Sequence, residues 1–308
     1  MIASPALRLR RIRATAVLLC GLSLLVVVLS AYLRLDAAGL GCADWPACYG
    51  RLLAGDPPAT QFGPLRLLHR ATASLSLLLA GYLAWCCWRR PAVQPADRPA
   101  LLLLLLMLAL AVLGIWSSDP RLVVVSFLNL LGGLGLVTFS WRVVLATRTR
   151  SMLDTSGPPT WLLRVGAATL SLTVVLGALI GARYAALACD SFPHCDGHWW
   201  PAAAGWAALS AFATLTGVPT AGDLGGMTLH LLHRYAALVT LLVLGSAGWQ
   251  ALSDTSRRPA AIVLLLLLVG EVALGSLTVL SGFTLCLAIS HGVCAALLLA
   301  SVATLLRR

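Results

Sequence analysis

Eight apolar stretches of membrane-spanning length run along this chain, separated by short arginine-bearing segments and by two longer polar loops. A helix that crosses a bilayer needs roughly 20 predominantly apolar residues. The stretches fall at about 14–33, 65–88, 99–117, 122–141, 161–181, 227–250, 260–280 and 284–305. The first follows Arg8, Arg10, Arg11 and Arg13 and has the outline of a signal peptide. It is long and lacks a clean small-x-small cleavage site, so it counts as a helix. The connections alternate between two sides. One side collects the N-terminus, Arg89, Arg90 and Arg98, then Arg142, Arg148 and Arg150, then Arg257 and Arg258, then Arg307 and Arg308. The other holds the two longest loops, about 34–64 and 182–226, where acids roughly balance arginines. The positive-inside rule then sets both termini in the cytoplasm and both long loops outside.

Composition strengthens this pattern. Apolar residues make up 59% of the 308 residues and charged residues 11%, with a mean hydropathy of +0.91. Soluble chains carry about 25% charged residues, so this one cannot cover a water-facing surface. The basic residues are all arginine, 22 of them, and Glu271 is the single glutamate. A net charge of +11 would suit nucleic acid on a soluble domain. Here the arginines flank apolar runs, which makes the charge a matter of topology and leaves the lipid bilayer, not nucleic acid, as the partner. The expected fold is all-α and integral to the membrane.

The two halves repeat each other. Val28–Gly50 and Val175–Gly197 align without a gap at an offset of 147, sharing Val, Leu, Ala, Ala, Leu, Cys, Pro, Cys and Gly. RLLHRATA at Arg66–Ala73 then matches HLLHRYAA at His230–Ala237, and Leu113-Gly114 matches Leu274-Gly275. The expected organisation is a four-helix unit over 1–145, a cytoplasmic linker over 146–160 and a second four-helix unit over 161–308. Both units enter from the same side, so the repeats are parallel.

Nine cysteines divide into two groups. Cys42/Cys48 and Cys189/Cys195 lie in the outer loops at the same C-x5-C spacing. An oxidising exterior and a turn at the intervening proline favour two structural disulfides. A redox-active pair is an alternative. So is a metal site, since His194 and His198 flank Cys195, although the first loop has no such histidines. Cys20, Cys86, Cys87, Cys286 and Cys294 lie in spans, where cysteine serves as a small apolar residue.

Three histidines, His69, His233 and His291, lie in spans at matching depth, roughly 8–11 Å below the outer face at 1.5 Å per residue. Ionisable residues in lipid face a bundle interior. Neutral imidazoles without a thiolate or carboxylate ligand suit haem iron better than zinc, and His233 with His291 is the expected axial pair. His69 corresponds to His233, but the counterpart of His291 is Asn129. A haem in the first half would be five-coordinate on His69, with an open face for chemistry; the alternative is a decayed site. Arg70 and Arg234 follow their histidines and suit haem propionates, with snorkelling to headgroups as the competing role. Arg66 and His230 occupy equivalent positions three residues earlier, within reach of a propionate or the substrate. Glu271 lies mid-span and is expected to be paired, protonated or simply a tolerated interior polar group.

These residues resemble a family. GLGCADWPACYG, ALACDSFPHCDGHWWP, the two His-Arg motifs, the Leu-Gly pairs and ISHGVCAALLL are similar to haem A synthase, over nearly the whole chain. The resemblance implies eight transmembrane helices as two four-helix units, with the second-half pair, His233 and His291, holding haem b. His69 would face the substrate, haem O, whose ring methyl is oxidised to formyl with oxygen from water at the last step. It further implies an inner-membrane enzyme of cytochrome oxidase assembly, with haem O synthase and terminal oxidase assembly factors as partners. Cys42/Cys48 and Cys189/Cys195 would be the loop pairs. Two positions depart from the family pattern: Asn129 stands where a fourth histidine is usual, and Arg66 where a carboxylate is usual. Both fall in the catalytic half. The other readings are a catalytically diverged haem b protein, an electron carrier or haem-handling protein, and a transporter. A transporter fits least, because the polar residues cluster near one surface instead of marking a path across.

Overall fold

The computed structural model describes residues 5–38, 63–89, 92–117, 119–148, 160–215, 217 and 221–307. Among these, eight α-helices follow the apolar runs: α1 Pro5–Ala37, α2 Gly63–Trp88, α3 Asp97–Leu113, α4 Val123–Ala146, α5 Thr160–Ala182, α6 Leu224–Ala251, α7 Arg258–Leu280 and α8 Leu285–Leu305. Two short 3-10 helices, Ala185–Ala188 and Ala203–Leu209, lie between α5 and α6. All but α3 are long and apolar enough to cross a membrane. Most of the first long loop, with Cys42 and Cys48, and most of the 146–160 linker lie outside the described residues.

Helix ends have local causes. Helix α1 starts nine residues before the apolar run, because arginine is a good helix former and its side chain can reach out of an apolar layer. Arg8 donates to the Cys86 carbonyl at 2.7 Å and to the Arg89 carbonyl at 2.7 Å. The Asp223 carboxylate caps α6 by accepting the Gly226 N–H at 2.6 Å. Pro259 occupies the first turn of α7, where its missing N–H costs nothing. Helix α3 stops at Leu113, short of the expected 117, and Gly114 onward continues in tighter turns, with Ile115 N–H on the Val112 carbonyl at 3.1 Å.

Packing follows two rings. Helices α1, α2, α3 and α4 each touch the next, and α4 returns to α1; α5, α6, α7 and α8 close in the same order. Helices α1 and α4 meet α8, and α4 meets α5, which joins the rings. At one end Trp141 Nε1 donates to Thr304 Oγ1 at 2.8 Å. At the other, Arg34 Nη1 donates to the Gly181 carbonyl at 3.1 Å.

The two largest apolar cores sit at one end of these rings. In the first ring the core includes Ile12, Leu19, Leu83, Leu103, Leu136 and Val143. In the second it includes Leu163, Leu170, Leu244, Leu264, Leu298 and Leu305. These residues come from the starts of α1, α3, α5 and α7 and the ends of α2, α4, α6 and α8, the arginine-bearing side. The histidines lie toward the opposite end, where Thr173, Thr228, Thr278 and His230 are buried among the apolar side chains. Outward positions such as Leu78, Leu266, Val269 and Trp249 are exposed, as expected of surfaces facing lipid tails.

Candidate functional site

His233 and His291 come from α6 and α8, which stand diagonally across the second ring. Their imidazoles meet between these helices, with ring centroids 6.3 Å apart and planes at 87°. Each ring leans on the helix preceding its own. His233 Nδ1 lies 2.9 Å from the Thr173 carbonyl on α5. A carbonyl can only accept, so Nδ1 carries the proton and Nε2 keeps its lone pair. On α7, Glu271 Oε1 lies 3.2 Å from His291 Nδ1, an ion-pair contact whose angle falls short of a hydrogen bond, so this nitrogen is buried beside its acceptor without yet bonding it.

Glycine permits both approaches. A Cβ at Gly177 would stand 3.0 Å from Cε1 of His233, and a Cβ at Gly275 would stand 3.0 Å from Cε1 of His291. Thr173 and Gly177 are one turn apart on α5, and Glu271 and Gly275 are one turn apart on α7. The second ring thus uses one device twice: an acceptor, then a glycine four residues later, against an imidazole of the next helix. Sequence reasoning missed this device, whose only trace is the one-turn spacing on the neighbouring helix.

Two imidazole nitrogens, each about 2.0 Å from a shared metal ion, hold their ring centroids roughly 6 Å apart. The observed separation fits such a bridge, and the absence of thiolate and carboxylate from the donor set fits haem iron. Arg234 adds a second mark. Its Nη1 donates to the carbonyls of Pro193 at 3.1 Å and His194 at 2.6 Å, and its guanidinium lies over the Phe192 ring at 5.4 Å. Its Nη2 is buried without a partner, a donor of the kind that a propionate satisfies. His230 has a different task. Its Nε2 lies 3.0 Å from the Ala185 carbonyl and its ring meets Phe283 edge-on, so it anchors the loop between α5 and α6 to α6.

That loop folds over the histidine end. Cys189 and Cys195 form a disulfide with Cα atoms 5.3 Å apart, and both are buried. Cys195 and His198 exchange backbone hydrogen bonds of 3.0 and 2.8 Å. Ser191 Oγ receives the Asp196 N–H at 2.7 Å, and Tyr235 donates to the Trp199 carbonyl. His194 Nδ1 accepts the Gly197 N–H at 3.1 Å, while His198 Nδ1 lies against the Asp196 carbonyl at 3.0 Å. The sulfurs of this pair are bonded to each other and the flanking histidines are occupied within the loop, so the arrangement here is a cap rather than a metal centre. A neighbouring Asp196 carboxylate, by hydrogen bonding and by its charge, holds Asp190 above the usual carboxylate range.

In the first ring, His69 is half-buried on α2 and Asn129 half-buried on α4, again the diagonal pair, while Arg66 and Arg70 are exposed. Aligning Leu113-Gly114 with Leu274-Gly275 sets Leu110 at the place of Glu271. Aligning Asn129 with His291 sets Gly132 at the place of Cys294. A Cβ at Gly132 would run into the Leu110 side chain, so here leucine packs where the second ring has a carboxylate.

The sequence profile of the family described as Cytochrome oxidase assembly protein matches residues 13–62 and 65–303. A haem A synthase of Shewanella oneidensis is 32% identical over 311 aligned positions, covering 92% of each chain. The chain belongs to the haem A synthase family. More distant members include haem A synthases of Shouchella clausii, 27% identical with 89% of each chain covered, and of Halalkalibacterium halodurans, 23% identical with 89% of each covered. Family membership extends through both rings, so the half that carries Asn129 and Arg66 belongs to it as fully as the half that carries the histidine pair.

Proposed function

We propose that this bacterial membrane protein is a haem A synthase, an oxidoreductase that converts the ring methyl of haem O to a formyl group. The observation that carries the reading is the meeting of His233 and His291, each with Nδ1 turned to an acceptor on the preceding helix, in a chain that matches the family over residues 13–62 and 65–303. In this reading the chain spans the membrane eight times as two repeated four-helix units, with α3 completing its crossing through the turns after Gly114. Both termini face the cytoplasm, where the arginines collect, and the two long loops face outside.

His233 and His291 would hold haem b, with Arg234 Nη2 available to one propionate. A haem held by two imidazoles supplies one-electron transfer. His69 would face haem O in the first half, with Arg70 near its rim and an open face on the Asn129 side. Oxidation of the methyl requires an electron outlet, which the second half is built to provide. Haem O synthase as the supplier of substrate, and oxidase assembly factors as receivers of product, follow from the same reading. The test is expression in cells that have haem O synthase and lack their own haem A synthase, followed by pigment extraction. Haem A is the expected product; haem O alone, with the protein present and pigmented, overturns the reading.

A further inference from the structure

The second ring supports its two histidines unequally. Thr173 offers His233 a backbone carbonyl, whereas Glu271 offers His291 a carboxylate. Glu271 is the only glutamate of the chain and its side chain is 15% exposed. It stands within a helix that is otherwise apolar from Ala260 to Gly275. Placing a carboxylate there is costly unless a partner recovers the energy, and the partner at hand is the imidazole. Gly275, one turn on, keeps the His291 ring pressed to this face of α7. Cys294, three residues beyond His291, turns its thiol to the Leu267 carbonyl at 3.5 Å and lies beside the same Glu271 carboxylate. The first ring has Leu110 at the corresponding place, so the device belongs to one half only.

We propose that Glu271 is a positioning residue of the second-half site: its carboxylate, 3.2 Å from Nδ1 of His291, becomes the acceptor of the Nδ1–H when haem occupies the site, aims Nε2 at the partner imidazole, and makes His291 the more electron-donating of the two ligands. This rests on His233 and His291 being the axial pair. Ligand histidines commonly donate their second nitrogen to a carboxylate or a carbonyl, which fixes the ring and raises its basicity. Here the two kinds of acceptor serve one metal position. Extra electron density at one ligand favours the ferric state, so Glu271 holds the potential of this haem low and suits it to pass electrons onward.

The test uses the full-length protein purified with its haem. Glu271→Gln should keep a low-spin haem and shift its ferric–ferrous equilibrium toward the reduced form by about tenfold, which is about 59 mV for one electron. Glu271→Asp should recover part of that shift. A Glu271→Gln protein with full low-spin haem and the wild-type potential overturns the proposal. The unaltered protein gives a second reading. With one glutamate, labelling by 13C-glutamate marks a single carboxylate, and its infrared band should move when the haem is reduced. A band that stays still overturns the proposal without any variant. Failure of the underlying site has a separate signature: His291→Ala would then leave the low-spin spectrum unchanged.

Discussion

The first and second rings share a plan and differ at the point where chemistry would occur. Both pack four helices in cyclic order, both put their leucine-rich core at the arginine-bearing end, and both carry a His-Arg pair near the start of their second helix. The second ring completes its site with His291, Glu271 and Gly275. The first has Asn129, Leu110 and Gly114 at those places, and its third helix ends at the glycine instead of continuing five residues past it. The difference teaches how one scaffold can serve two purposes. In the proposed reading, the pair of imidazoles would hold an iron on both sides for electron transfer, and the single imidazole of the first ring would leave one face open for a reaction on the porphyrin.

The largest expected effects separate the rings. His233→Ala should remove the low-spin haem entirely, while His69→Ala should leave it intact and abolish haem A formation; absorption spectra and pigment extraction read both. If His69→Ala also removed the low-spin haem, the division of labour would be wrong. Next, Asn129→His should make the first ring resemble the second and add a second low-spin population to the spectrum, at the expense of activity. An unchanged spectrum would mean that the first ring does not hold porphyrin opposite residue 129.

Smaller changes sharpen the same contrast. Gly275→Val pushes a side chain into the His291 ring, and overpacking of this kind costs about 1–3 kcal/mol. Haem retention should fall, whereas Gly114→Val, which meets only its own helix backbone, should leave the low-spin haem unaffected. Opening the loop cap by Cys189→Ser removes a short loop closure and should lower stability by about 2 kcal/mol, read as a lower thermal midpoint with the low-spin ligands still in place. The smallest effect concerns Asp190. Its carboxyl is held above the ordinary range by Asp196, so the folded chain resists its ionisation, and stability falls as pH rises through the folded-state value. Asp190→Asn should remove that fall, seen as a flatter dependence of thermal midpoint on pH just above the ordinary carboxylate range.

Much of this arrangement was legible from residues alone because lipid imposes simple rules. Apolar runs located every helix, and arginines marked the end where the cores lie. The matching depth of His233 and His291 pointed to one shared site, and the spacing of Cys189 and Cys195 favoured the disulfide that they form. Legibility stopped where partners lie on other helices. Thr173 and Gly177 look like ordinary small residues of an apolar helix until α6 is packed against them. Glu271 stood out, but its partner did not. Arg234, expected at a propionate, spends Nη1 on the loop carbonyls and keeps only Nη2 for a ligand. Helix ends were misplaced where charge and glycine compete with hydropathy, at the arginine-rich start of α1 and at Gly114 in α3.

In the proposed site, two imidazoles of the second ring share one iron. Electron paramagnetic resonance of the purified protein, labelled with 15N-histidine, reads this directly. The expected result is a low-spin ferric signal coupled to two histidine nitrogens, replaced in His291→Ala by a high-spin signal coupled to one. A low-spin haem coupled to one histidine nitrogen, or to two that persist when His291 is replaced, would contradict it.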